Sequence, residues 1–461
     1  MSKPVCSFAF VHPWHRGLPE VPKFLHETFD HKNYGMVIAL VDDDGPKIFS
    51  AGKLDNGTDR EVDADTVFDI CSITKTFTTL LLQDMVDSGQ MQLDDPLAKY
   101  LPESVKLPVR DGQEITLRNL AAQDTGLPHD PDNVSPRSRS TVNPFESYTA
   151  EDAYTFLSHY TLPQRPGTDF VYSNLGMALL GHAMTRVAKA DYESLVVSRI
   201  CNPLGMTSTR ITLTDDMKSR RAIGHDESGK QAPNWEFKVY EGAGALRSTA
   251  NDLLKFVAAN LGNGPASISQ LMKKNHAICH TGSSTFGDTA MPWYDRDQSA
   301  QTGTQLLGHA GGNGGYNAFI GFNKQQHRGV VVLSNQTGIV ISEPVGWVVL
   351  ERITITPELA NVLAHSNNKE LVGIGVALKF DRTTHTVRID KVLPGSPASK
   401  AGLSAGLIVK TVGDVPIANK TLLQCQSMLR GTAGSKVRLE LESPENSDKK
   451  SVEIIRSPFK T

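Results

Sequence analysis

The chain is 461 residues long, enough for at least two folding units of ~100–200 residues, and its 39% hydrophobic and 21% charged residues fit a globular protein rather than a disordered or membrane one. A formal net charge of -3 excludes the strong basic field that nucleic-acid binding needs. No uninterrupted apolar run of ~18 residues offers a membrane span.

Residues 1–31 read as an N-terminal extension. The short apolar piece of MSKPVCSFAFVHPWHRG is broken by His12 and Pro13 and forms no signal-peptide core, so a cytoplasmic location is expected. The runs GMVIALV and KIFSAG, joined by the turn signal DDDGP, predict a hairpin from about Gly35 to Ser50. Helical patterns follow over Thr74 to Ser88, Leu175 to Ala188 and Thr249 to Asn260. A second hairpin comes late, YNAFIGF and GVVVLSN flanking NKQQHR. Strands at both ends and helices between them predict an α+β domain over residues 32–356, its chain ends meeting in one sheet and its middle forming a helical subdomain. The polar HSNNKE marks a linker, drawn at 357–370. Beyond it, GIGVALKF, HTVRIDKVL, GLIVKTVG and KVRLELES are short strand-like runs around one helical piece, NKTLLQCQSMLRG, and predict a small β-rich domain over 371–457.

The five cysteines are scattered and odd in number, without the paired spacing of a zinc or redox motif. The close pairs His12/His15 and His276/His280 have no acidic or cysteine partner at ligand spacing. No metal or other cofactor is expected.

Chemistry concentrates in DICSITKTFTT, Asp69 to Thr79. With a helix starting near Ser72, Ser72 and Lys75 lie one turn apart on one face, where the side chains can touch. A serine hydroxyl needs a neighbouring base, and a partly desolvated lysine can serve as one. The free N–H groups of a helix start can also stabilise a developing oxyanion. Downstream, VYSNLG supplies Tyr172 and Asn174 before a helix, and LLGHAGGNGGY supplies His309 and Gly311 before a strand.

Those three motifs in this order, with LAAQDTGLPHD, CNPLGMTSTRI and EGAGALRSTANDLLKF between them, resemble the class C β-lactamases, the related serine DD-peptidases and D-aminopeptidases, and the β-lactamase-like carboxylesterases. The resemblance covers roughly Lys32 to Ile355 and implies a β-lactamase/transpeptidase-like antiparallel sheet flanked by helices. It further implies Ser72 as acylated nucleophile, Lys75 as its proton-shuttling partner, Tyr172 as general base and acid, and Asn174 as a contact to Lys75 and substrate. The N–H groups of Ser72 and Gly312 would form the oxyanion hole beside Gly311. At His309 the family's β-lactamases usually carry lysine; a histidine is mostly neutral at pH 7 and grips a substrate carboxylate poorly. Arg296 is the candidate for a compensating cation. The long polar segment Asp130 to Thr149 is expected to border the cleft with Phe145 and Tyr148, and Trp235 and Tyr316 are candidate aromatic walls.

The C-terminal stretch, VGIGVALKF followed by VLPGSPASKAGLSAGLIVKTVGDVPI, is similar to a PDZ domain. The N–H groups of Ile374, Gly375 and Val376 would converge on the C-terminal carboxylate of a peptide that pairs with the following strand, and Leu422 with Leu423 would line its side-chain pocket. The expected activity is a serine hydrolase cleaving small carboxylic esters through an acyl-serine intermediate. Two alternatives stand beside it: a D-amino-acid peptidase or weak β-lactamase acting on amides, and an inactive scaffold in which the peptide-binding domain does the work. The expected partners are a small ester or amide and a C-terminal peptide.

Overall fold

The computed structural model describes residues 18, 20–134, 143–284, 287–295, 305–338, 342–352, 355, 359–360, 363, 370–381, 386–417, 422–444 and 448–460. Among them, eight antiparallel strands form one sheet: β1 (Gly35–Asp42), β2 (Gly45–Gly52), β5 (Ile278–Ser284), β6 (Gly287–Ala290), β7 (Tyr294–Asp295), β8 (Leu306–Gly312), β9 (Asn317–Asn323) and β10 (Arg328–Ser334). Their order is β2-β1-β10-β9-β8-β7-β6-β5, so the early and late hairpins meet side by side through the β1–β10 pair. Two further short strands, β3 (Phe68–Asp69) and β4 (Arg247–Ser248), pair with each other.

The central strands read as continuous apolar runs because both faces of the sheet are covered. Successive side chains point to opposite faces. In β1, Val37 and Ala39 enter one core cluster while Met36, Ile38 and Leu40 enter the other. The second cluster is closed by helices α1 (Glu20–Phe29) and α5 (Ser342–Leu350). Helix α1 falls within the stretch read as an extension, yet buries Val21, Phe24, Leu25 and Phe29, the i, i+3, i+4, i+8 stripe of an amphipathic helix.

Against the opposite face packs α4 (Ala250–Asn260), and α2 (Thr74–Asp87) and α3 (Asn174–Ala188) share the large cluster with it. Helix α2 is buried almost all round, from Thr74 through Gln83. Its threonines tolerate this because each hydroxyl finds a backbone partner: Thr76 donates to Ile73 O (2.8 Å), Thr78 to Gly242 O (2.6 Å) and Thr79 to Thr76 O (3.3 Å), and Thr74 accepts from Leu246 N–H (3.2 Å). No helix among the described residues is long and apolar enough to cross a membrane.

The C-terminal domain has its own core. Strands β12 (Val376–Asp381), β13 (Thr386–Val392), β14 (Ile408–Val412), β16 (Lys436–Glu442) and β17 (Lys449–Ile455) follow in that order across a sheet, with β15 (Val415–Pro416) beside β14. Strands β11 (Glu370–Gly373) and β18 (Ser457–Lys460) pair separately. Alternation in β16 sends Val437, Leu439 and Leu441 inward, and α6 (Leu422–Leu429) packs against β12.

Candidate active site

Between β3 and α2, Cys71–Ile73 forms a single 3-10 turn. Cys71 holds a φ of 50°, a left-handed conformation that costs a non-glycine residue about 1–3 kcal/mol and persists only when its surroundings impose it. The turn leaves Ser72 half-buried between buried neighbours. Lys75, one turn further on, is 0% exposed. Its Nζ donates to Ser72 Oγ (3.1 Å), Asn174 Oδ1 (2.8 Å) and Ala243 O (2.7 Å), which occupies all three ammonium protons. Burial pulls its pKa down to about 7, against the opposing pull of Asp130.

Tyr172 stands on the segment that enters α3. Its neighbours anchor it to one residue, Val171 N–H donating to Gln123 O (2.7 Å) and Ser173 N–H to Gln123 Oε1 (2.6 Å). Ser173 caps the helix by accepting from Gly176 N–H (3.0 Å), so Asn174 opens the first turn facing Lys75. The Tyr172 ring centroid lies 4.9 Å from Lys75 Nζ. Burial raises the pKa of its phenol above the ordinary tyrosine value, Asp130 and Cys71 add to the rise, and the nearby Ser72 hydroxyl opposes it. Asp130 in turn accepts from Asn174 Nδ2 (3.3 Å).

Strand β8 brings the third motif in. A Cβ on Gly311 would lie 2.3 Å from Ile70 O and 3.0 Å from Ser72 N, so only glycine lets this strand end press against the Ser72 turn. Gly312 and Ser72 line the same cavity. His309 is 1% exposed, and its ring stacks on Tyr294 at 5.0 Å. Its Nδ1–H donates to Ala310 O (2.7 Å), and Nε2 has no partner among the described residues. Burial, then the nearby Lys75, lowers its pKa to about 3, which leaves the ring uncharged at pH 7.

The cavity above Ser72 measures about 40 Å³ and is walled by Phe145, Trp235, Phe237 and Tyr240. Phe145 stacks on Tyr240 at 4.2 Å. Tyr148 stands behind this wall, edge-on to Tyr240 at 5.5 Å. Tyr316, a candidate wall in the sequence, is instead buried with its hydroxyl on Ala222 O (2.7 Å) and is not among the residues lining the cavity. Arg296 lies outside the described residues. The sequence gives no separate role to Phe237, Tyr240 or the Ala243 carbonyl, and places Asp130 only at the start of a cleft-bordering segment; the aromatic pair in EFKVYEGAGAL, just before the framework glycines, is the signal that points to Phe237 and Tyr240.

In the C-terminal domain Ile374 is buried and Gly375 has a φ of 75°. Ile374 O accepts from Ala398 N–H (2.8 Å) and Gly375 O from Leu393 N–H (2.9 Å), which ties down the carbonyl side of the loop. Val376 begins β12, which pairs with β13 alone among the described strands and so presents an open edge. Leu422 opens α6, but its side chain lies outside what is described.

The beta-lactamase family model matches residues 21–347, and the PDZ domain model matches residues 362–442. A beta-lactamase-like protein of Homo sapiens is 32% identical over 295 residues, 60% of this chain and 56% of its own length. The D-alanyl-D-alanine-carboxypeptidase/endopeptidase AmpH of Escherichia coli K12 is 30% identical over 223 residues, 48% of this chain and 56% of its own. The chain thus spans little more than half the length of these relatives. Among solved structures, a beta-lactamase/D-alanine carboxypeptidase from Yersinia pestis has a TM-score of 0.60 at 24% identity, covering 73% of this chain and 99% of its own. A class C beta lactamase from Rhodobacter sphaeroides has a TM-score of 0.58 at 22% identity, covering 72% and 93%. Both are likenesses of fold.

Proposed function

The chain belongs to the beta-lactamase family of serine hydrolases and carries a C-terminal PDZ domain, and from that premise we propose that it hydrolyses small, uncharged carboxylic esters through an acyl-Ser72 intermediate. The observation that carries this reading is the set of three acceptors around Lys75 Nζ. With a pKa of about 7 the amine is neutral in a large fraction of molecules. A neutral amine has two N–H groups, which Asn174 Oδ1 and Ala243 O can take, and its lone pair is then left for the Ser72 hydroxyl.

In this mechanism Ser72 Oγ bonds to the ester carbonyl carbon as its proton passes to Lys75, with the Tyr172 phenol beside both. The carbonyl oxygen becomes an oxyanion held by the N–H groups of Ser72 and Gly312. Collapse breaks the bond to the alkoxy group, which leaves as the alcohol with a proton from Tyr172 or Lys75. Water then attacks the acyl-serine by the same route in reverse.

Two features favour an ester with a small acyl part and a neutral leaving group. A space of about 40 Å³ holds only a few water-sized volumes, at ~10–15 Å³ each, behind four aromatic rings. An uncharged, sealed His309 offers no cation to a substrate carboxylate. The competing reading, a D-amino-acid peptidase, draws on the 30% identical carboxypeptidase/endopeptidase. We also propose that the open edge of β12 and the Ile374–Val376 loop take the C-terminus of a peptide.

The test is a turnover panel of p-nitrophenyl acetate to hexanoate, nitrocefin and D-alanyl p-nitroanilide, run beside fluorophosphonate labelling. Fastest turnover on the shortest esters, with label on Ser72, is the expected result. Preference for the D-alanyl amide would transfer the function to the peptidase reading, and folded protein that takes no label would leave the scaffold.

A further inference from the structure

Asp69, three residues before the nucleophile, is 3% exposed and lies at the meeting point of three chain segments. Its Oδ1 accepts from Arg247 Nε (3.0 Å) and Arg221 Nη2 (3.1 Å), and its Oδ2 from Asn313 Nδ2 (3.2 Å). Two of these contacts, those of Asn313 and Arg247, lead to the cleft. Asn313 directly follows Gly312, and its Oδ1 accepts from Gly315 N–H (3.0 Å) and Tyr316 N–H (2.9 Å), closing the turn that ends β8. Arg247 pairs with Asp69 across β3 and β4 and donates onward to Trp235 O (3.0 Å), on the aromatic wall, and to Ile211 O (2.6 Å). On the nucleophile side, Asp69 leads within two residues to Cys71, whose left-handed backbone sets the direction of Ser72.

We infer that Asp69 is a positioning residue for acyl transfer: its carboxylate fixes the distance between the nucleophile turn and the end of β8, and with it the separation of the Ser72 and Gly312 N–H groups. The inference rests on the acyl-Ser72 reading. A carboxylate fits this post because it can accept from several donors at once, and bonds to guanidinium groups are short and directional. The oxyanion develops only in the transition state, so misplacing its donors lowers kcat and leaves ground-state binding nearly intact.

The experiment uses the full chain with p-nitrophenyl acetate, measuring kcat, KM, the rate of fluorophosphonate labelling and the melting temperature. Asp69→Asn removes the charge. Asn313→Asp removes the donor while keeping an acceptor for Gly315 and Tyr316, and it decides the matter where Asp69→Asn fails to fold. Each single variant is expected to lose about 10–100-fold in kcat and labelling rate, with KM within about threefold of wild type. Combining the two substitutions re-forms the bond with donor and acceptor exchanged and keeps one carboxylate among the arginines, so most of kcat should return. Folded single variants with wild-type kcat, losses confined to KM, or a double variant whose loss is the product of the two single losses would overturn the inference. Wild-type protein that neither turns over esters nor takes label would remove the acyl-Ser72 reading itself, and this inference with it.

Discussion

In the hydrolase cleft Lys75 meets partners 99 and 168 residues away along the chain, Asn174 and Ala243, whereas in the PDZ domain the loop Ile374–Val376 runs without a break into β12. The cleft works by burial: desolvation brings a lysine to a pKa near 7 and keeps His309 uncharged. The peptide site proposed at the PDZ loop needs no altered side chain, since it is built from backbone N–H groups and a sheet edge. The proposed chemistry of the first region therefore depends on packing around Ser72, and the proposed binding in the second on local backbone shape.

The largest effect expected on this contrast is at Ser72, the proposed nucleophile. Ser72→Ala should abolish fluorophosphonate labelling and lower ester turnover by more than about 10³-fold, while peptide binding measured by fluorescence anisotropy stays unchanged. Tyr172→Phe should keep KM and slow turnover by ~10²–10⁴-fold; equal rates for the variant and wild type would remove the phenol from proton transfer.

Two glycines sharpen the comparison further. Gly311→Ala sets a methyl 2.3 Å from Ile70 O and should slow acylation by about 10–100-fold with peptide affinity intact. Gly375→Ala meets both a φ of 75° and Ser396 Cβ at 2.2 Å, and should weaken a C-terminal peptide by about tenfold or more with ester turnover intact. Loss of both activities in either variant would mean that the two regions are coupled.

The smallest effect is a pH profile. In the proposed mechanism Lys75 must be neutral to take the Ser72 proton, so kcat/KM for the esters should fall about tenfold per pH unit below about 7 and level off above it. Peptide binding should show no such limb. The sign for stability is the same: between about 7 and 10.5 the unfolded lysine holds a proton that the folded one lacks, so this group's contribution rises with pH through that window.

Much of the candidate site is legible in the sequence because it is written in short-range spacing. Ser72 and Lys75 are one helical turn apart, Tyr172 and Asn174 flank a capping serine, and Gly311 and Gly312 end a strand whose partner hairpin is visible in the alternation of YNAFIGF and GVVVLSN. Tyr316 sits in the same kind of local context, yet its hydroxyl turned to Ala222 O instead of the cavity, because a side chain's direction depends on which acceptor the tertiary packing places within reach. Helix α1 was hidden for a similar reason: its apolar stripe acquires meaning only once a sheet face is there to cover.

Taken alone, the sequence determined the α+β plan, the order of the three motifs and the glycine-bearing PDZ loop, since these follow from periodicity, turn chemistry and residues a few positions apart. Only the tertiary structure decided the pKa of Lys75, the neutrality of His309, the four-ring wall and the Asp69 cluster, whose bonds to Arg247 and Asn313 span 178 and 244 residues. Desolvation and buried charge pairing arise from what surrounds a group in space, and no local pattern along the chain encodes those surroundings.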